Sequence, residues 1–360
     1  MSTRIVVDTA SDERLRRFVE LSATYYSTDA AIDPTVVAWR HLQAPTGPST
    51  TVELVDGDET VGRMWIQTHE WSVRGVPVTA ANPIDFLIRE DHRRLPAFMS
   101  LFKSTMAEAQ RRADLVFHTS NPLTDDLYRK LMKLTPVTEL DGAVVAVRPF
   151  ATAEAAGVFR AGVFGRALDS VCAAALRIIA KAAGISGVRL SSAPSRDQQD
   201  RVASSLAMDE AVCATRSGEY REWRFRGAGS IRYDVHWVTR RGKTLGYVVT
   251  TDRDIDGVRG RFVVDLVMPG SPSRLTIVLM WLRLAGIAAG QRRHALFFFY
   301  NRKNPRLARL AGLPLVTVSR DRLPQRVPVF VRPSRSAEQT AFDGVDWSAG
   351  YFVLSDFDMF

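Results

Sequence analysis

Short apolar runs separated by polar turns organise this chain, and the order of those runs occurs twice. In the first half Ser11 precedes Asp12 and Glu13 at the start of a helical stretch; in the second half Ser195 precedes Arg196 and Asp197. A serine cap followed by acidic residues is what the positive end of a helix prefers. A second helix leads into Trp39-Arg40-His41-Leu42 in one half and Trp223-Arg224-Phe225-Arg226 in the other. Two strands joined by a turn follow, the turns being Asp56-Gly57-Asp58-Glu59 and Arg240-Arg241-Gly242-Lys243. A third strand precedes a fourth that carries a carboxylate, Ile84-Asp85-Phe86-Leu87 or Val264-Asp265-Leu266-Val267. Helices are then predicted over roughly 96–112 and 272–290, each with a proline where a first turn tolerates it. A strand closed by Asn121 or Asn301, a short helix and a closing strand complete each unit.

The two halves stay in register. Gly62 and Gly246 each lie 23 residues after their tryptophan, and Asn121 and Asn301 each lie 36 residues after their aspartate. The offset between halves is 184 at the tryptophans and 180 at the aspartates, which marks a tandem duplication. The expected fold is α/β of the α+β kind: two similar domains, 1–150 and 195–332, each a mixed, mostly antiparallel sheet flanked by helices. Between them 151–194 reads as a helical linker, and 333–360 as a docked apolar tail. The linker helix, around 168–183, carries Arg177 and Lys181 one turn apart. Such a helix suits either a membrane surface or the space between two domains, and its many alanines favour the second.

Composition narrows the classes. With 360 residues, 46% hydrophobic and 24% charged, the chain has ordinary globular usage and length for about two domains. No apolar run reaches the roughly 18 residues of a spanning helix; the run from Leu275 to Leu282 is flanked by Arg274 and Arg283. The first residues lack a secretory signal, so a soluble cytoplasmic protein is expected. Two cysteines, Cys172 and Cys213, make neither a disulfide framework nor a thiolate metal site, and the histidines show no ligand spacing. The formal charge of +9 is spread over isolated arginine pairs. That balance favours phosphate-bearing ligands, while nucleic-acid motifs, a nucleophile elbow and the Walker and Rossmann glycine patterns are all missing.

This grammar resembles the GCN5-related N-acetyltransferase superfamily, in particular its tandem-domain members. The stretch from Trp39 to Ser49 is similar to the Trp-Lys-His…Asn-Pro-x-Gly-Pro stretch of bacterial acetyltransferase-like proteins of polysaccharide and cell-envelope synthesis. Trp347 followed by Asp356 and Asp358 is similar to the close of the same group. The resemblance implies an acyl-CoA donor, no metal, and acyl transfer to an amine on an amino sugar or envelope-glycan precursor. It places the donor's pyrophosphate loop at 93–98. There Arg93 keeps the first position and Arg94 adds a second cation. Pro96 replaces a glycine and brings no N–H, and Phe98 stands where a small residue belongs.

The same resemblance implies Tyr128 as the acid for the departing thiolate, Asn121 against the pantetheine arm, and Leu87 on the strand that borders the donor. The second copy keeps Asn301 but has Ala308 in place of the tyrosine. Asp85, and after it Asp265, are the candidates for general base, because a carboxylate among apolar strand neighbours should have a raised pKa. Acceptor-side candidates are Trp39, His41, Asp265, Asp356 and Asp358, although Trp39 and Trp223 also read as core anchors. Two other readings fit: a catalytically silent scaffold on the same fold, and a Fem-type transferase fed by aminoacyl-tRNA, whose long helical hairpin is not seen. Peripheral contact with a membrane is compatible with all three.

Overall fold

The computed structural model describes residues 3–25, 32–120, 125–131, 134–155, 157, 160, 162–191, 194–255, 257–318, 326–334 and 342–357. The candidates Asn121 and Asp358 lie outside the described residues. The first copy runs β1 (Thr3–Thr9), α1 (Asp12–Ala23), α2 (Pro34–Leu42), β2 (Thr50–Asp56), β3 (Glu59–Val73), β4 (Val76–Ile88), α3 (Leu95–Arg112), β5 (Leu115–Thr119), β6 (Thr138–Glu139) and β7 (Asp141–Ala146). A π-helical turn at Leu127–Leu131 follows β5. Helices α4 (Pro149–Ala155) and α5 (Val163–Ile185) connect to the second copy. That copy runs β8 (Val188–Ser191), α6 (Arg196–Asp209), β9 (Val212–Ala214), α7 (Gly218–Arg226), β10 (Asp234–Arg240), β11 (Lys243–Ile255), β12 (Val258–Val267), α8 (Arg274–Gly290), β13 (Ala295–Tyr300), α9 (Pro305–Leu310), β14 (Val316–Val318) and β15 (Pro328–Pro333).

Local chemistry sets most of these boundaries. The Ser11 hydroxyl accepts the N–H of Arg14 and caps α1, whereas the matching Ser195 starts α6 without a side-chain cap bond. The separate third strand expected from the sequence does not exist. Its residues extend the hairpin strand β3 to Val73 and the aspartate strand β4 back to Val76. The two landmark glycines stand where strands crowd. A Cβ on Gly246 would lie 2.0 Å from the Val267 carbonyl oxygen, and one on Gly62 would lie 3.1 Å from Ile88 Cγ1.

Each sheet repeats the same order. The first reads β1-β2-β3-β4-β5-β15-β6, and the second, from its other edge, β8-β10-β11-β12-β13-β7-β14. All neighbours are antiparallel except β4 with β5 and β12 with β13. The sixth strand is exchanged: β7 of the first copy pairs with β13, and β15 of the second pairs with β5. The copy-by-copy boundaries therefore cut through both sheets, because a closing strand and its equivalent carry the same apolar pattern and either can fill the slot. Residues Val188–Ser191, read as linker, are likewise the edge strand of the second sheet.

The copies meet about the two tryptophans. Trp39 Nε1 donates to the Trp223 carbonyl at 2.8 Å, and Trp223 Nε1 donates to the Trp39 carbonyl at 2.9 Å. Their rings lie 5.6 Å apart, packed with Val36, Ala44, Tyr220 and Ile231. This reciprocal pair is the signature of an internal two-fold relation. Helix α5 packs one face on α8 and leaves the other exposed, so it does not lie sandwiched between two domains as its alanines suggested.

Candidate functional site

In the first sheet β4 is deformed in its middle. Arg63 pairs with Leu87 and Trp65 with Ile84, so Asp85 and Phe86 together oppose the single residue Met64. This is a β-bulge, and Asp85 occupies its left-handed position with φ +53. The parallel register between β4 and β5 is confined to Ala80–Leu115 and Ala81–Val116. Past that point the strands part into a wedge, on whose edge Ile84, Asp85 and Phe86 are half-buried.

Asp85 does not have the raised pKa expected of it. Burial pushes its pKa up, but Arg40 at 3.3 Å and His41 Nε2 at 3.0 Å outweigh that and hold the carboxyl well below the usual range. His41 is fully buried, stacked on Trp65 at 4.5 Å, with Nδ1 3.1 Å from the Ser49 hydroxyl. The Ser49–His41–Asp85 line has a nucleophile-base-acid order, yet Ser49 is buried and tied by its backbone to His41 and Ala10. It braces the bulge against α2. His41 and Trp39, expected on the acceptor side, are both inside the packing and face no open cleft.

The other wall of the wedge is aromatic. Phe86, Phe98 and Phe102 pack in succession, at 5.1 Å and 5.9 Å, and Phe102 meets Tyr128 at 5.1 Å. Phe98 thus turns into the core beneath the start of α3, and the site where its ring was expected to obstruct is free of it. Burial pushes the Tyr128 phenol well above its ordinary value, so it stays protonated. Edge-on to it, 5.1 Å away, stands His118, stacked on Phe330 at 4.9 Å. Among the described residues neither ring nitrogen of His118 has a hydrogen-bond partner, and burial lowers its pKa to about 3. This neutral imidazole is not among the residues expected from the sequence, where His41 alone of the histidines is a site candidate. Its signal was there: a histidine in the apolar strand Leu115-Val116-Phe117-His118.

Arg93 and Arg94 are exposed at the N-terminus of α3, and Arg94 is its cap residue. Arg93 donates from Nε to the Ile88 carbonyl at 2.9 Å and lies 4.5 Å above the Tyr25 ring. Pro96 occupies the first turn, so the free N–H groups there are one fewer than in an ordinary helix start. Leu87 is buried in the β3–β4 ladder.

The second copy has the same wedge, and it is filled. β12 pairs with β13 only from Gly260 to Val263, and Val264 is the extra residue opposite β11. Into the gap run residues 350–357. Asn301 Nδ2 donates to the Ser348 and Gly350 carbonyls at 2.8 Å and 2.7 Å, and its N–H donates to the Phe352 carbonyl at 3.1 Å. Tyr220 Oη donates to the Ser355 carbonyl at 3.1 Å, and Arg224 donates to the Phe357 carbonyl at 3.2 Å. Tyr351, Phe352, Val353 and Leu354 are wholly buried. Arg216 lies 2.5 Å from Asp356 and 3.4 Å from Asp265, and Tyr247 Oη donates to Asp265 at 2.9 Å. All three ion-pair members are buried. Burial, with the repulsion of the neighbouring Asp265, outweighs the pull of Arg216 and pushes the Asp356 carboxyl up to about 6. Asp265 and Asp356, expected to meet an acceptor, instead lock the tail.

Between the copies lies a small cavity of about 40 Å³ bounded by Thr46, His69, Glu70, Thr215, Tyr220 and Trp223. It shares Glu219 with two grooves of about 790 Å³ and 700 Å³ on the surface. The first groove joins Gln43 and Pro45 of one copy to Glu219, Glu222 and Trp223 of the other.

No family model matches the sequence, and no curated protein does. Solved structures do. A GCN5-related N-acetyltransferase from Anabaena variabilis is similar over 92% of this chain and 73% of its own, at TM-score 0.58 and 12% identity. One from Kribbella flavida matches over 92% and 71%, at TM-score 0.55 and 9% identity. Saccharomyces cerevisiae N-myristoyltransferase with bound myristoyl-CoA matches over 92% and 83%, at TM-score 0.58 and 10% identity. The chain has the GCN5-related N-acetyltransferase fold across nearly its whole length.

Proposed function

We propose that the protein is an N-acyltransferase that takes an acyl-CoA in the wedge of its first copy and an amine from the cleft between the copies. The observation that carries this reading is the contrast of the wedges: bulged and half-exposed at Ile84–Phe86, but filled by the chain's own residues in the second copy. The residues present suit such a donor. Arg93 and Arg94 stand exposed at a helix start, where phosphate oxygens are favoured and where two cations offset the N–H removed by Pro96. The donor supplies the activated acyl group. The protonated Tyr128 phenol is suited to hand a proton to the departing thiolate, and His118 offers unused hydrogen-bonding capacity beside it. Asp85 serves as an ionised brace that fixes the bulge, positioning the edge of the wedge through Arg40 and His41. Glu219 and Glu222, which line the groove between copies beside Arg221 and Arg226, are the carboxylates there to meet an amine. An amino sugar or envelope-glycan precursor as the acceptor rests only on the resemblances of the Trp39–Ser49 stretch and of the ending with Trp347, Asp356 and Asp358.

Calorimetric titration with acetyl-CoA and longer acyl-CoAs tests the donor, and free thiol release on adding amino sugars tests the acceptor. Binding without turnover on any amine identifies a silent acyl-CoA-binding scaffold. Absence of binding removes the donor reading.

A further inference from the structure

Helix α5 has two faces of opposite character. Gly165, Asp169, Ala173, Ala180 and Ala183 are buried on one side. There the packing on α8 is close enough that a Cβ on Gly286 would lie 2.2 Å from the Ala180 methyl. On the other side Phe164 is 87% exposed, Val171 64%, Ile178 69% and Ile185 89%, with Leu168 and Ile179 also exposed. At 100° per residue these positions fall on one stripe, about 32 Å long at 1.5 Å per residue. A stripe of that size is far more apolar than a solvated face needs, and it marks a surface with a partner.

The charges along the stripe say which partner. Lys181 borders the stripe, and Arg177 and Arg166 are exposed further round the same side of the helix, next to its buried face. The only acidic residue of the helix, Asp169, is buried and accepts the N–H groups of Phe150 and Ala151 at 2.9 Å and 2.8 Å. The exposed positions of α5 that bear a formal charge are therefore all cationic, on a chain of net charge +9. A second copy of the chain would set this cationic edge near its own likeness. An anionic lipid surface meets both features together, hydrocarbon for the stripe and phosphate for the cations.

We infer that α5 seats the protein in the plane of an anionic membrane surface, with Phe164, Val171 and Ile178 at the boundary of headgroups and acyl chains. Lys181, and Arg177 through its long side chain, reach the phosphates. The inference does not rest on acyl transfer, and it stands or falls separately.

Co-sedimentation of the full chain with vesicles tests it. Vesicles of phosphatidylglycerol and phosphatidylcholine in equal parts should bind the protein at least about tenfold more tightly than phosphatidylcholine alone. Arg177→Gln with Lys181→Gln should weaken that binding about 30-fold, from about 1 kcal/mol per cation near such a surface. Phe164→Ser with Ile178→Ser should abolish it and leave the thermal midpoint unchanged, because both side chains already face solvent. No binding to the mixed vesicles, equal binding to both kinds, or binding kept in either double variant would overturn the inference. So would a dimer seen by light scattering that Phe164→Ser with Ile178→Ser turns into a monomer, which assigns the stripe to a second copy.

Discussion

The two copies begin from one pattern and use it oppositely. In the first, Arg40 follows the landmark tryptophan and pairs with the bulge aspartate Asp85. In the second, the equivalent Arg224 leaves its aspartate to Arg216 and holds the Phe357 carbonyl instead. Asn301 ends its strand by binding three carbonyls of the tail. The parting of two parallel strands thus makes a slot in both sheets, and what fills it decides its use. One copy leaves Ile84, Asp85 and Phe86 half-buried at the edge of the slot, and the other fills it with the chain's own residues 350–357.

The largest effect that would break this comparison lies in the second copy. Arg216→Met leaves Asp265 and Asp356 buried without their cation and should cost about 3–5 kcal/mol in urea unfolding. Arg40→Met should cost clearly less, about 1–2 kcal/mol, because Asp85 keeps His41 and is 23% exposed. Equal losses would mean that the two networks are equivalent. Phe352→Ala, in the filled wedge, should also cost about 3–5 kcal/mol, whereas Phe86→Ala, half-buried, should cost less. Tyr128→Phe should lower turnover about 100-fold with donor affinity unchanged, while Ala308→Tyr in the second copy should leave turnover as it is.

The pH dependence separates the copies by sign. The Asp356 carboxyl has a folded pKa of about 6, above the roughly 3.9 of an unfolded aspartate. Its contribution favours the native state at low pH and is lost as pH rises through about 6. Asp85 is lowered instead, so its contribution is present above about pH 4 and lost as pH falls below that. Asp356→Asn should flatten the decline in stability from about pH 4 to 6, and Asp85→Asn should flatten the acid limb only. Smallest of all, Arg93→Ala should weaken donor binding about fivefold, the scale of one exposed cation against a phosphate.

The duplication was legible because packing needs the same residue at the same place twice. Trp39 and Trp223 bond to each other's carbonyls, and Gly62 and Gly246 stand where strands crowd. The strand exchange was not legible, since β7 and β15 present equivalent patterns and only their placement tells which sheet takes them. For Asp85 the apolar neighbours suggested a raised pKa, but the deciding partners, Arg40 and His41, are more than 40 residues away in sequence. Phe98 looked like an obstruction because spacing gives its position and not its direction. The tail's apolar residues suggested a docked segment; its residues 351–357 are buried, and the slot that receives them follows only from the parting of β12 and β13.

The most direct test of the account is the stoichiometry of acyl-CoA binding to the full chain by calorimetry. One donor per chain, weakened by Arg93→Ala with Arg94→Ala and indifferent to Arg274→Ala in the second copy, is the predicted result. Two donors per chain, or affinity that follows Arg274 and not Arg93, would contradict it.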